Sequence, residues 1–308
     1  MPRREEKRRE EREGSNPIRV LRVVRQGGLP PLPPLLPLLP LLETMVGLFA
    51  RWPLFAVILS SAALAASPPP EWVEMRNNST MFWGQYSRNV EAIEAIDRDG
   101  ARADLLVYGD SITAWSSGFD LSSIPGTRAV FEKHFGDLRA EPLGIPGDEI
   151  KHLYWRLLNG ELPRRAPRYA VIFIGINDLV HGVPVDEIAD RMDQLLTFVT
   201  TSKQTRNSHV IVQTLLPSHA KVAEVNEAYI RLARRHGATV SDCLSRQLDR
   251  SDRGEWNVWM ADQLHPSLKG QDALLGCWRG ILRGKSACRL PRLPEKAASC
   301  RLANRRET

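Results

Sequence analysis

The 308-residue chain lacks several signatures that mark metal, nucleotide or nucleophile-elbow sites. Its four cysteines form no CxxC pair and lie near no histidine cluster, which argues against a zinc site. There is no G-x-x-x-x-G-K-[ST] sequence, and no G-x-G-x-x-G follows the first predicted strand, so a nucleotide loop is not indicated. The G-x-S-x-G elbow is also absent, so the loop geometry of ordinary α/β-hydrolases is not implied. We therefore expect neither a metal nor an organic cofactor.

The chain has little positive charge in its central part, although its net charge is +6. Residues 283–308 hold eight Lys and Arg against two Glu, and residues 1–44 hold nine Lys and Arg against six Glu. The remaining residues, 45–282, are therefore slightly acidic. A nucleic-acid-binding domain carries positive charge on its folded surface. We therefore expect no nucleic-acid partner.

The first 44 residues do not have the pattern of a folded domain. Arg3–Glu13 is a mixed-charge run, and Leu29–Leu42 alternates proline with leucine, a composition that blocks both helix and sheet. We interpret residues 1–44 as disordered or as an upstream extension. Met45 is then the expected functional start, and N-terminal sequencing of the native protein would test this.

Residues 45–66 have the pattern of a secretory signal peptide. Arg51 precedes an apolar run that ends in Ala63-Leu64-Ala65. The run is about 15 residues long, whereas a membrane span needs about 20. We therefore expect a secretory or extracellular protein, with a membrane anchor and an organelle-targeting segment as the alternatives. The chain would contact a membrane only if residues 45–66 were retained.

Residues 71–283 have the pattern of one α/β domain, and residues 284–308 that of a basic disordered tail. Short, wholly apolar runs alternate with segments of helical spacing, which predicts a parallel sheet covered on both faces. The predicted strands are 105–108, 170–174, 210–214 and 238–240. The predicted helices are 82–98, 150–158, 185–200, 220–235 and 267–282.

Polar residues follow these strands or precede the helices, where functional residues of such sheets gather. Ser111 lies in Gly-Asp-Ser-Ile-Thr (109–113) after the first strand, and Asn177 lies in Gly-Ile-Asn-Asp (175–178) after the second. Between them is a Gly147-Asp148 turn, and near the C-terminal end stands Asp-Gln-Leu-His-Pro (262–266). These four blocks, in this order and spacing, resemble those of the SGNH (GDSL-type) hydrolases over about residues 82–282. Within them, residues 147–162 are similar to the catalytic subunits of intracellular platelet-activating-factor acetylhydrolases.

The resemblance implies a three-layer α/β/α sandwich with a mostly parallel, five-stranded, flavodoxin-like sheet. It also implies a serine esterase that forms an acyl-serine intermediate. Ser111 would be the nucleophile, His265 the base that takes its proton, and Asp262 the group that orients the imidazole. The implied oxyanion donors are the backbone N–H groups of Ser111 and Gly147 and the side chain of Asn177. The expected substrate is a small acyl ester of a lipid or carbohydrate, with a short acyl group.

Several alternatives remain open from the sequence. Ser111 or Asp262 could cap the helix that follows, and Asn177 could stabilise a turn. Asp110, Asp148 and Asp178 are interpreted as hydrogen-bond organisers. The cysteines could form disulfides or remain free thiols. The same site could transfer an acyl group to an alcohol, the fold could serve as a non-catalytic binding protein, and a homodimer is left open.

Overall fold

Five strands form one parallel sheet, as the resemblance implied. The computed structural model describes residues 68–76, 79–120, 126–248 and 253–284, so the predictions for residues 1–66 and 285–308 lie outside the described residues. Each neighbouring pair of strands is parallel, in the order β2-β1-β3-β4-β5. This is a flavodoxin-like order. The strands are β1 (Leu105–Gly109), β2 (Ala140–Gly144), β3 (Tyr169–Phe173), β4 (His209–Gln213) and β5 (Thr239–Ser241).

The three central strands are buried because helices cover both faces of the sheet. Every residue of β1 is buried, which is why its sequence is an uninterrupted apolar run. The strand β2 was not predicted, because Glu141 and Pro142 interrupt the apolar pattern. Its only partner is β1, where Pro142 lies opposite Val107, so β2 is an edge strand of the described sheet. An edge strand tolerates proline because one side of its backbone needs no partner.

The helices form two layers. One contains α4 packed on α6 and α6 packed on α7, and the other contains α10 packed on α3, α8 and α9. Within the described residues, no helix is long and apolar enough to cross a bilayer. The bounds are α1 (Thr80–Arg98), α2 (Ser111–Ser116), α3 (Arg128–Phe135), α4 (Ile150–Leu158), α5 (Ile176–Val180), α6 (Val185–Thr201), α7 (Val222–Arg235), α8 (Cys243–Leu248), α9 (Arg253–Trp259) and α10 (Leu268–Leu282).

The final helix, α10, is held firmly on the sheet, and this positions the loop that precedes it. Trp278 is 1% exposed, and its ring packs edge-on against Phe173 of β3 with the centroids 6.3 Å apart. The indole N–H donates to the side-chain oxygen of Gln213 in β4 at 2.8 Å. Cys277 is disulfide-bonded, which decides for this residue the alternative that the sequence left open.

Candidate active site

Three of the four sequence motifs meet at the carboxyl ends of neighbouring strands. Ser111 begins α2 directly after β1, and Asn177 lies in α5 directly after β3. Gly147 lies in the turn between β2 and α4. In doubly wound sheets a crevice opens where the strand order reverses, which here is between β1 and β3. The candidate nucleophile and the candidate amide donor therefore flank this crevice.

Two glycines allow the start of α2 to lie directly against the strand ends. A Cβ on Gly109 would collide with the side chain of Thr113, and a Cβ on Gly144 would collide with the backbone nitrogen of Ala114. Larger residues at these two positions would push α2 away from the sheet. The close packing leaves Ser111 buried, with 5% of its surface exposed. The candidate nucleophile is thus held on a rigid element.

Asp110, not Ser111, caps α2, so the interpretation of Ser111 as an N-cap is wrong. The Asp110 side chain accepts the Ile112 backbone N–H at 3.0 Å through Oδ1. Its other oxygen, Oδ2, is buried and has no hydrogen-bond partner among the described residues. Burial, together with the nearby charges of Asp148 and Asp178, raises the pKa of Asp110 to about 7, although the hydrogen bond from Ile112 opposes the shift. The pKa of this carboxyl group therefore lies near neutral pH, one residue before the candidate nucleophile.

Ser111, His265 and Asp262 form a continuous chain of hydrogen bonds. The Ser111 hydroxyl lies 3.0 Å from Nε2 of His265, although 154 residues separate the two positions. The Nδ1 atom of His265 lies 2.8 Å from Oδ2 of Asp262. Burial tends to raise the pKa of Asp262, but hydrogen bonds from the His265 backbone and ring and from the Leu264 backbone lower it below its ordinary value. Asp262 is therefore an ionised acceptor at neutral pH.

The loop that carries Asp262 and His265 is closed by its own backbone. Met260 and Pro266 form an antiparallel bridge, and the Ala261 N–H donates to the His265 carbonyl oxygen at 2.8 Å. Asp262 also accepts the backbone N–H of His265 at 2.6 Å. The cap of α10 is Ser267, and so the interpretation of Asp262 as the helix cap is wrong.

The candidate oxyanion donors lie on adjoining turns. Gly147 has a φ of +78°, a left-handed conformation that favours glycine. Asn177 is 7% exposed, and its side-chain NH₂ donates to the carbonyl oxygen of Asp148 at 2.8 Å. One of the two amide hydrogens of Asn177 thereby ties α5 to the turn after β2, and none of the described residues accepts the second. The structure thus brings Asn177 to the turn that contains Gly147.

Sequence analysis did not single out Arg156, although it joins these loops. Its buried guanidinium donates to the carbonyl oxygens of Gly109 at 2.9 Å and Leu143 at 3.2 Å. It also pairs with the carboxylates of Asp148, at 2.7 Å, and Glu161. One side chain therefore connects the end of β1, the end of β2 and the turn beyond β2. The available signal was a lone arginine within the apolar run of α4.

The other two aspartates accept hydrogen bonds from neighbouring elements, Asp178 from the backbone at the start of α4 and Asp148 from the side chain of Arg156. Asp178 accepts the N–H of Ile150, the first residue of α4, at 3.0 Å, and it pairs with Arg191 at 3.3 Å. Burial raises the pKa of Asp178 to about 7. Burial also raises the pKa of Asp148, and the guanidinium groups of Arg156 and Arg76 oppose that effect.

A cavity of about 590 Å³ lies elsewhere, between α1 and α3 beside the edge strand β2. It is lined by apolar residues such as Phe131 together with charged residues such as Arg128 and Glu141. None of the candidate catalytic residues lines it. The hydrogen-bond geometry at Ser111, and not cavity size, identifies the candidate active site. In the described ranges, no group of three or more His, Cys, Asp or Glu side chains is arranged to hold a metal ion.

Comparisons with known proteins point to one family. The model of the GDSL-like lipase/acylhydrolase family matches residues 107–273. The alpha2 subunit of platelet-activating factor acetylhydrolase IB from Rattus norvegicus is 28% identical over 126 residues, covering 41% of this chain and 49% of the relative. The alpha1 subunit from Bos taurus is 31% identical over 88 residues, covering 29% of this chain and 36% of the relative. The chain thus spans at most about half the length of these relatives.

Two solved structures share the fold. A Streptococcus pneumonia protein described as a platelet activating factor has a TM-score of 0.51 and 19% identity, covering 65% of this chain and 94% of that one. A GDSL-like lipase from Bacteroides thetaiotaomicron has a TM-score of 0.50 and 16% identity, covering 65% and 97%. At these identities the likeness concerns the fold alone.

Proposed function

This chain belongs to the GDSL-like lipase/acylhydrolase family, and from that premise we propose that it is a serine esterase with Ser111 as its nucleophile. The observation that carries the proposal is the 3.0 Å separation between the Ser111 hydroxyl and Nε2 of His265. A base at hydrogen-bond distance is what a serine hydroxyl needs to become a nucleophile at neutral pH.

In the first half of the proposed reaction, Ser111 attacks the carbonyl carbon of the ester while Nε2 of His265 takes the hydroxyl proton. This requires the tautomer in which Nδ1 carries the hydrogen. The carboxylate of Asp262, 2.8 Å from Nδ1, favours that tautomer and stabilises the imidazolium that forms. The imidazolium then returns its proton to the oxygen of the departing alcohol, which leaves an acyl group on Ser111.

The negative charge that develops on the carbonyl oxygen needs donors that are already in place. In the proposed mechanism these are the backbone N–H groups of Ser111 and Gly147 and the amide of Asn177. The hydrogen bond from Asn177 to the Asp148 carbonyl supports this assignment, because it holds the amide beside the turn that contains Gly147. Arg156 positions the same turn from the buried side.

In the second half, His265 takes a proton from water, and the resulting hydroxide attacks the acyl carbon. The tetrahedral intermediate collapses with return of the proton to Ser111 Oγ and release of the carboxylic acid. The name of the acetylhydrolase relatives supports acetyl as the acyl group. We therefore propose short-chain acyl esters of lipids or carbohydrates as substrates.

A fluorophosphonate probe and a series of 4-nitrophenyl esters test this proposal together. The probe should label the wild-type protein and not the Ser111→Ala variant, and hydrolysis should fall as the acyl chain lengthens beyond acetyl. A folded wild-type protein that is neither labelled nor active would contradict the proposal and favour a non-catalytic binding protein. Labelling with turnover only in the presence of an acceptor alcohol would favour acyl transfer.

We also propose that residues 45–66 direct the chain into the secretory pathway. This rests on the short basic and apolar pattern of that segment, which lies outside the described residues. N-terminal sequencing of the native protein should find a start shortly after Ala65. A mature chain that retains Arg3–Glu13 would contradict the proposal.

A further inference from the structure

The segment of residues 70–76, which precedes α1, is fastened to α4 and α6. The indole N–H of Trp72 donates to the side chain of Gln194 in α6 at 3.2 Å, and the Trp72 ring packs edge-on against Tyr154 of α4 at 5.5 Å between centroids. Glu74 pairs with Lys151 of α4 at 3.1 Å. Trp72 and Glu74 thus hold this segment in place shortly before Arg76.

These contacts bring the guanidinium of Arg76 to the turn that contains Gly147, one of the candidate oxyanion donors. It fills the space beside Gly147 where any larger residue would place its Cβ. The Arg76 side chain remains 23% exposed, and its Nη1 atom donates to Oδ1 of Asp148 at 3.5 Å. Among the described residues, Nε and Nη2 of Arg76 have no hydrogen-bond partner. A guanidinium presents five N–H donors, so the described residues leave most of the donors of Arg76 available to a ligand.

Asp148 is a weak partner for Arg76 because a second arginine holds it more closely. Nε of Arg156 lies 2.7 Å from Oδ2 of Asp148, against 3.5 Å for the contact from Arg76. Both Asp148 and Arg156 have side chains with no exposed surface, whereas Arg76 lies at the rim. The cation that faces solvent beside Gly147 is therefore incompletely paired.

We propose that Arg76 is an anion-binding residue of the active site and that the preferred esters carry a carboxylate or phosphate group. This inference rests on the proposed esterase function. Planar guanidinium groups bind both anions through two parallel hydrogen bonds. Arg76 would hold the charged group of the substrate while the ester lies over Ser111, which makes Arg76 a determinant of specificity.

Three acetyl esters with similar leaving groups test the proposal. They are 4-acetoxybenzoate, 4-acetoxyphenyl phosphate and, as the neutral reference, methyl 4-acetoxybenzoate. The kcat/KM of each variant is divided by that of the wild type for the same ester, so that differences in chemical reactivity cancel. The variants are Arg76→Met, which removes the charge, and Arg76→Lys, which keeps a charge without the planar fork. Arg231→Met is the matched control, because Arg231 is 69% exposed on α7 and its ion pair with Glu227 is long, at 4.0 Å.

Arg76→Met should lower kcat/KM at least about tenfold for one or both anionic esters and less than about twofold for the neutral ester, as expected for a charge-assisted hydrogen bond. The larger loss identifies carboxylate or phosphate as the preferred group. Arg76→Lys should retain part of the preference for anionic over neutral esters. Arg231→Met should have the wild-type kcat/KM for all three esters. Equal losses for all three esters, or no loss, would overturn the proposal.

Direct binding tests the anion-binding residue without turnover. Calorimetry should show that the wild-type protein binds benzoate at least about fivefold more tightly than benzamide, and that Arg76→Met removes this difference. Equal binding of the two by the wild type would overturn the inference. Failure of fluorophosphonate labelling would instead contradict the proposed esterase, so the two failures are distinguishable.

Discussion

Replacement of Asp110 by asparagine should flatten the dependence of folding stability on pH. Asparagine can still cap α2, because its side-chain oxygen can accept the Ile112 N–H that Asp110 now accepts at 3.0 Å. The ionisable group is lost, however, and with it the cost of a buried charge. The substitution therefore separates the capping function of this residue from its titration.

The size of the effect follows from the raised pKa. The pKa of Asp110 is about 7 in the folded protein, against an ordinary value of 3.8. A group whose pKa is raised in the folded protein binds its proton more tightly there than in the unfolded chain. This tighter binding stabilises the folded state, and the stabilisation is fully present below the ordinary pKa. That stabilisation is lost as the pH rises through the folded pKa, which here gives roughly 3 kcal/mol between pH 5 and pH 8.

Urea denaturation of the wild type and Asp110→Asn at several values between pH 5 and pH 8 measures this loss. The wild type should lose about 3 kcal/mol more than the variant over that range. The substitution places an amide NH₂ near the buried position of Oδ2, so the variant should also be less stable by an amount that does not depend on pH. Asp190→Asn, at an exposed position of α6, is the control. Its free energy of unfolding should change with pH as that of the wild type does. Equal slopes for the wild type and Asp110→Asn would refute the reasoning.

Three further substitutions test the site and its support. Asn177→Ala should lower kcat by about 10²–10³ with little change in folding, measured with a 4-nitrophenyl ester, since one oxyanion donor is lost. Asp262→Asn should lower kcat by up to about 10⁴ with little change in KM, because the amide favours the wrong imidazole tautomer; a KM effect alone would contradict this. Gly175→Ala should destabilise the fold by about 2 kcal/mol or more, because φ is +119° and the Tyr229 hydroxyl fills the Cβ position. Gly182→Ala, with φ of +81° and open space, should cost less in the same denaturation assay.

Local patterns in the sequence were sufficient for most of the fold. The apolar run at 105–108 predicted β1, and helical spacing predicted α4 with the bounds that the structure has, 150–158. Each of these elements buries one continuous surface. The spacing of its apolar residues therefore identifies it without information from the rest of the chain. The strand β2 was missed because Pro142 interrupts its pattern, and only its pairing with β1 identifies it.

The candidate site divides in the same way. The motifs alone named Ser111, Asn177 and the Asp262–His265 pair, because each lies at the end of a recognisable element. The 3.0 Å approach of Ser111 to His265 depends on how α10 packs on the sheet, across 154 residues of sequence. Tertiary structure alone also brought Arg156 and Arg76 to the two sides of Asp148. Residues that are distant along the chain determine how deeply a charged side chain is buried and which partner it contacts. No local sequence pattern contains this information.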